Sequence, residues 1–335
     1  MFGIARRQSI VAQLQCLLLA VVLLFSTAAR AAWYEDSQHI MGTQITAELW
    51  HDDAEQAARL LDQVMAEMRR IEQAFSPYID NSELSYINRQ APQGWVNASD
   101  EMLDLLAKSE QVSDLTGGAF DITYASIGRY YDYRKGQRPD DALIEENLAA
   151  IDYQHVEIDR QRRAVRFRHP AVYIDLGGIA KGHAVDRCIA LLAAADVSEA
   201  SVSAGGDSRI LGDRRGEPWN VGIADPRADG EVTALLPLTD TAVSTSGDFE
   251  RFYEDDGIRY HHILDPATGD SARASMSVTI LGPEATLTDA LSTSVFVMGP
   301  DKGLDLINQL DGIDAIIVAA DGQMRYSADL EELRP

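Results

Sequence analysis

Residues 172–186 read VYIDLGGIAKGHAVD, and this joint limits the folds open to the chain more than any other stretch. Val172 and Ile174 favour an extended segment, Gly177 and Gly178 break it, and a helical pattern starts at Ala180. A strand handed directly to a helix calls for an architecture in which helices pack on a sheet. The corner also has a chemical reading. Two glycines let backbone approach a ligand closely, the free N–H groups and positive end of the following helix favour an anion, and Lys181 adds a full charge. The pattern is neither a Walker A loop nor a GxGxxG fingerprint. On these residues alone, a phosphate cradle and a tight turn with a surface lysine are equally good readings.

Elsewhere the apolar spacing shifts between helix and strand. Ala57, Leu61, Val64, Met68, Ile71 and Phe75 recur at three- and four-residue steps and predict a helix over 54–75, stopped by Pro77. Ser99 is placed to cap a second helix ending at Gly117-Gly118. A third, over 141–151, precedes the hairpin arms HVEID and RAVRF. After a helix over 180–194 come strands in ASVSAGGDSRIL, WNVGIADP and TAVSTSG, the arms RFYE and YHHIL around Asp255-Asp256-Gly257, and SMSVTIL. The helix TLTDALSTSVFVMG, another over 304–310 and the strands AIIVAA and MRYSA complete the chain. No long linker or repeat interrupts this order. The expectation is one continuous α/β (α+β) unit over 33–330, with mixed, largely antiparallel sheets and packed helices; two lobes fit as well, but no composition shift marks their boundary.

The first 31 residues are of a different kind. Arg6 and Arg7 precede the apolar run CLLLAVVLLF, and Ala29-Arg30-Ala31 offers the small residues that a signal peptidase reads. The run is short for a membrane span, so residues 1–31 read as a cleaved export signal, with an uncleaved anchor as the alternative. Cys16 opens the apolar run instead of following it, which argues against a lipoprotein. The expected location is the periplasm. Cleavage removes three arginines and no acids, taking the net charge from −24 to −27. Such acidity argues against nucleic acid or an anionic membrane as partner unless a metal intervenes. Cys188 alone remains, so no internal disulfide is available and the core must hold the fold.

Three further stretches carry candidate chemistry. Asp289 and Thr293 lie one helical turn apart on one face, and a carboxylate with a hydroxyl suits magnesium, which takes few protein ligands beside water and phosphate oxygens. Service near a helix start is the plain alternative for such a pair. In YHHILDPATGD, His261 and His262 on a strand point to opposite faces, so only one of them can look into a site as general base or acid, and a satisfied structural role is the plainer reading for a lone histidine. Asp265 reads as a turn residue. AGGD at 204–207 and TSGD at 245–248 are glycine turns with an acid; Phe120, Asp121 and Tyr78 could face a planar ligand or simply cover the core.

Taken together, HIMGT, FSPYIDNSELSYIN, GGAFDIT, DLGGIAKGHAVD, AGGD, STSG, HHILDPATG and TDALSTSVFVMG stand in the order found in the FAD:protein FMN transferases, the ApbE family. The chain resembles that family from about residue 33 to residue 310. The resemblance implies that Met41, Tyr78, Ala119, Phe120, Asp121, Asp175, Lys181 and Ile263 contact FAD, and that the Gly178 carbonyl, Asp289 and Thr293 ligate magnesium. Some members carry another acid where this chain has Ser292, and many have a Trp-Gly-Phe-like run where this one reads SIGRYYDYR.

The activity so implied is magnesium-dependent transfer of the FMN half of FAD to a threonine or serine hydroxyl of an exported acceptor, such as a redox-complex subunit or respiratory regulator, with AMP released. His262, Asp175 and Lys181 are the implied catalytic set: His262 takes the hydroxyl proton, with Asp175 or a metal-bound water as alternatives, and Lys181 stabilises charge on the leaving AMP. Two rival readings stay open, a magnesium-dependent FAD pyrophosphatase and a flavin-binding protein without turnover. No nucleic-acid partner is expected, and membrane contact only through the acceptor or an uncleaved anchor.

Overall fold

The structure is a computed structural model that describes residues 31–228 and 230–332. The expected export signal therefore lies, but for Ala31, outside the described residues. The chain begins with the hairpin β1 (Ala32–Ile40) and β2 (Thr43–His51) and the long helix α1 (Ala54–Phe75). Next come α2 (Glu83–Gln90), β3 (Val96–Asn97), α3 (Asp100–Leu115), α4 (Ala125–Gly128), α5 (Asp141–Leu148), β4 (Val156–Asp159) and β5 (Ala164–Phe167). The second half runs α6 (Ala180–Ala194), β6 (Ala200–Ala204), β7 (Asp207–Leu211), β8 (Trp219–Ala224), β9 (Val232–Leu238), β10 (Ala242–Gly247), β11 (Phe252–Asp255), β12 (Ile258–His261), β13 (Ser275–Gly282), α7 (Ala285–Met298), α8 (Pro300–Ile307), β14 (Asp314–Ala319), β15 (Met324–Tyr326) and α9 (Ala328–Glu332).

Eight strands form one sheet in the order β1-β2-β6-β7-β10-β13-β14-β15, and every neighbouring pair is antiparallel. Helices α1, α6 and α7 pack against it, α1 on β1 and β2, α6 on β6 and β7, α7 on β10 and β13. The β8–β9 hairpin packs on the sheet through Ile223, Val221 and Leu236, against Val243, Leu281 and Ile316. Strand alternation sorts the two environments: Val243 joins that cluster, while Ser244 and Ser246 turn to α7. The largest core gathers the buried faces of α1, α2, α3 and α6 over β2 and β6. In α1 the buried face is Ala57, Leu60, Leu61, Val64, Met65, Met68, Ile71 and Phe75, and the Asp53 carboxylate caps its start by accepting from the Gln56 N–H. The expected mixed architecture of antiparallel sheets and packed helices is thus the one observed.

Three local expectations need correction. Residues 172–176, predicted as a strand, belong to no strand or sheet. Their hydrogen bonds go elsewhere: Tyr173 N–H donates to Ser126 Oγ (3.0 Å), Ile174 N–H to Asn88 Oδ1 (2.8 Å) and Asp175 N–H to the Ile122 carbonyl (3.0 Å). The Asn88 amide returns a bond to the Ile174 carbonyl at 2.9 Å, so side chains stand in for a neighbouring strand. YHHIL is not one strand either. β12 ends at His261 because Ser271 Oγ accepts its N–H (2.9 Å) and donates to its carbonyl (2.7 Å). Finally, the helix predicted over 304–310 is α8, which starts earlier: Gly299 turns at φ 77° and Pro300 takes the first helical position.

Candidate active site

The site is built where α6 crosses α7. Gly182 makes the crossing possible: a Cβ there would lie 2.1 Å from the Ala285 carbonyl oxygen and 2.8 Å from Asp289 Cβ. At this contact the helices exchange carboxylates. Asp289 on α7 accepts the Gly182 N–H of α6 at 2.9 Å. Asp186 on α6 accepts the Ala285 and Thr286 N–H groups of α7 at 2.9 and 2.8 Å. Neither helix has a side-chain cap from its own N-cap residue, so each start is held by an acid from the other. Gly182 and Asp186 are four apart on α6, as are Ala285 and Asp289 on α7, which puts both exchanges on one face.

Around this joint the structure assembles an oxygen-rich corner. Lys181 is ion-paired with Asp207, an acid 1 % exposed at the start of β7. Burial and the neighbouring Asp207 push the Asp289 carboxyl up to about 7. Gly178 sits on Thr293: its missing Cβ would be 3.3 Å from Thr293 Oγ1 and 3.3 Å from the Phe120 ring. Ser246 of β10 bonds Ser292 Oγ at 2.7 Å and lies 3.3 Å from Thr293 Oγ1. Ser292 is buried and donates to the Asp289 carbonyl at 2.9 Å, so it braces the helix turn. The sequence-predicted Gly178, Lys181, Asp289 and Thr293 therefore meet in one place.

These residues suit a small hard cation. Two buried carboxylates, Asp207 and Asp289, face one lysine, leaving negative charge in surplus where water cannot screen it. Among the described residues no three His, Cys, Asp or Glu side chains gather as a metal cluster. The donors here are of another composition: one carboxylate, a hydroxyl and a backbone carbonyl, which fits an ion that keeps part of its hydration.

His262 and Asp175 stand beside this corner. His262 is half-buried, and its buried Nδ1 has no hydrogen-bond partner. Burial, with Arg251, His261 and Lys181 nearby, lowers its pKa to about 3, so the ring is neutral near pH 7. His261 has the structural role, with Nε2 2.6 Å from the Ala272 carbonyl and its ring edge-on to Phe296. Burial raises the Asp175 pKa against the Gly177 N–H, which donates to it at 2.7 Å. Tyr78 stands 80 % exposed, with Asp175 and Arg251 acting on its hydroxyl.

The remaining predicted residues divide. Met41 occupies a turn at φ 55°, a conformation rare outside glycine, and its N–H donates to Glu72 Oε1 at 2.8 Å. Phe120 is buried against Gly178, and Ala119 is half-buried beside it. The Asp121 carboxylate turns inward, accepting from Thr123 N–H (2.7 Å), Thr123 hydroxyl (2.6 Å) and Tyr153 N–H (2.8 Å). Its acceptor capacity serves the chain. Ile263 is packed in the core with Ala272, Val278 and Leu291. Sequence reasoning missed Asp186, Asp207 as the partner of Lys181, Ser246 and Arg251. The STS alternation of β10 was a usable signal for Ser246; the others depend on segments far apart in sequence.

The ApbE family model matches residues 41–317. The FAD:protein FMN transferase of Treponema pallidum is 31% identical over 321 residues, covering 90% of this chain and 89% of its own. Among solved structures, the ApbE protein of Thermotoga maritima superposes with TM-score 0.84 at 35% identity, covering 91% of this chain and 100% of its own. The flavin transferase ApbE of Vibrio cholerae gives TM-score 0.80 at 26% identity, covering 90% and 99%.

Proposed function

The chain belongs to the ApbE family, and on that premise we propose that it transfers the FMN half of FAD to a threonine or serine hydroxyl of an exported acceptor protein, releasing AMP. One observation carries the reading at the level of residues: Gly178, Lys181, Asp289 and Thr293, distant in sequence, converge at the α6–α7 crossing with a surplus of buried negative charge. In this reading Asp289, Thr293 and the Gly178 carbonyl hold magnesium. When bound, the ion withdraws charge from the diphosphate and makes phosphorus easier to attack.

The chain's own groups supply the rest. Tyr78 offers an exposed ring on which a planar flavin can stack. The positive end of α6 favours the phosphates, and Lys181 stands ready for charge that moves to the leaving group. The acceptor oxygen bonds to the FMN phosphorus, the bond from that phosphorus to the AMP oxygen breaks, and the hydroxyl proton passes to His262. The neutral His262 has a lone pair available, and an arriving phosphate anion would offset the cations that depress its basicity.

The test is mass. Protein recovered from the periplasm is incubated with FAD, magnesium and a candidate exported acceptor; an acceptor heavier by one FMN, with AMP released, is the expected result. AMP and FMN free in solution with the acceptor unchanged would instead identify a pyrophosphatase, and intact FAD a carrier. The same spectrum reads whether residues 1–31 have been removed.

A further inference from the structure

Lys181, the expected phosphate-binding cation, is already engaged with one buried carboxylate and adjacent to a second. A dianionic diphosphate therefore needs a cation whose charge is not already balanced. Arg251, just before β11, is that group. Among the described residues its guanidinium makes no ion pair and no hydrogen bond. Of the acids near it along the chain, Asp248 receives both Nη atoms of Arg227 at 2.7 Å, Glu254 receives Arg259 at 2.9 Å, and the charge of the adjacent Glu250 acts on Lys181. An unpaired arginine is unexpected in a chain with net charge −24.

Its position is fixed by the chain. The Arg251 carbonyl accepts the His262 N–H at 3.1 Å, tying it to the candidate base. Its Nη2 lies 3.4 Å from where a Cβ on Gly42 would be, at the turn that carries Met41. Its charge acts on Asp175, Tyr78 and His262. The side chain is exposed, so a ligand can reach it. Guanidinium presents paired N–H donors in a plane, the arrangement that matches phosphate oxygens.

We propose that Arg251 binds the diphosphate of the flavin dinucleotide, as the site's second cation beside Lys181. This rests on the reading of the corner as an FAD site, and the experiment separates the two. Dissociation constants for FAD and for riboflavin, which has no phosphate, are measured on the whole protein with magnesium and with chelator, for wild type, Arg251→Lys and Arg251→Gln. Arg251→Gln should weaken FAD about 10- to 100-fold, the loss of a charge-assisted contact, and leave riboflavin unchanged. Arg251→Lys should fall between, and the salt dependence of FAD binding should be shallower in Arg251→Gln than in wild type. Equal FAD affinity in Arg251→Gln and wild type overturns the proposal, as does an equal loss for FAD and riboflavin. Failure of the wild type to bind FAD overturns the underlying reading instead.

Discussion

Gly182→Ala tests the joint on which the site is built. In an ordinary exposed helix, glycine to alanine stabilises by about 1 kcal/mol. Here the added methyl would meet the Ala285 carbonyl oxygen at 2.1 Å, Ala285 C at 2.6 Å and Asp289 Cβ at 2.8 Å. Real Cβ contacts do not fall below 3.0 Å, so the helices must part by at least 0.9 Å at this point, and two of the three obstructing atoms are backbone. Overpacking of that kind costs about 1–3 kcal/mol. Losing the bond from Gly182 N–H to the Asp289 carboxylate adds about 1.5–3 kcal/mol. After the propensity gain, the net expectation is a destabilisation of about 1.5–5 kcal/mol, with transfer slowed on the order of 100-fold by displacement of Asp289. Urea unfolding and the rate of FMN incorporation read the two effects. A variant as stable as wild type or more so, with unchanged rate, would mean that the helices do not cross this closely.

Two further outcomes follow from the charges. Asp289, pushed up to about 7, favours its protonated form in the folded state, so without metal its contribution to stability is fullest below the ordinary 3.8 and is lost as pH rises through 7. Asp289→Asn should therefore melt higher than wild type in chelator at alkaline pH while losing magnesium binding and transfer; a lower melting temperature with retained transfer would contradict the assignment. Burial pushes the Glu101 carboxyl up, but hydrogen bonds from Arg70 and His183 outweigh it and hold it down at about 2. Its stabilisation is present above the ordinary 4.5 and lost as pH falls toward 2, so Glu101→Gln should cost about 1–2 kcal/mol at pH 7, after solvent screening of a partly exposed group, and much less at pH 3. Urea midpoints at the two pH values measure the difference; a gap that does not narrow in acid would remove Glu101 from the network.

What could be read in the sequence was whatever a local pattern determines. The one-faced apolar spacing of 54–75 and the run after Gly178 give α1 and α6 at their observed bounds, because burial on one face fixes a helix without reference to its partner. Residues 172–176 have strand composition, yet their hydrogen-bond partners are Asn88, Ser126 and Ile122, which no local pattern announces. Asp186 lies in the most legible motif of the chain, but its role is 99 residues away at Ala285. Gly182 looks like a mid-helix weakness until α7 lies against it. Arg251 became visible only once Asp248 and Glu254 were found paired with other arginines.

The carboxylate exchange between α6 and α7 joins stability and chemistry in one contact. In the proposed assignment Asp289 is a metal ligand, and such an acid that only faced solvent could be moved at little cost to the fold. Asp289 also satisfies a helix-start N–H, and its counterpart Asp186 holds the start of the helix that carries Asp289. The start of α6, beside Asp289, is the positive helix end at this corner, which helps reconcile a chain of net charge −24 with an anionic substrate. The exchange also limits what can vary. A substitution that repositions Asp289 must uncap α6, and one that removes Asp186 loosens the first turn of α7 one turn before Asp289, so changes of metal or nucleotide preference are easier to make from the periphery, at Arg251, Tyr78 or the Met41 turn, than from the crossing itself.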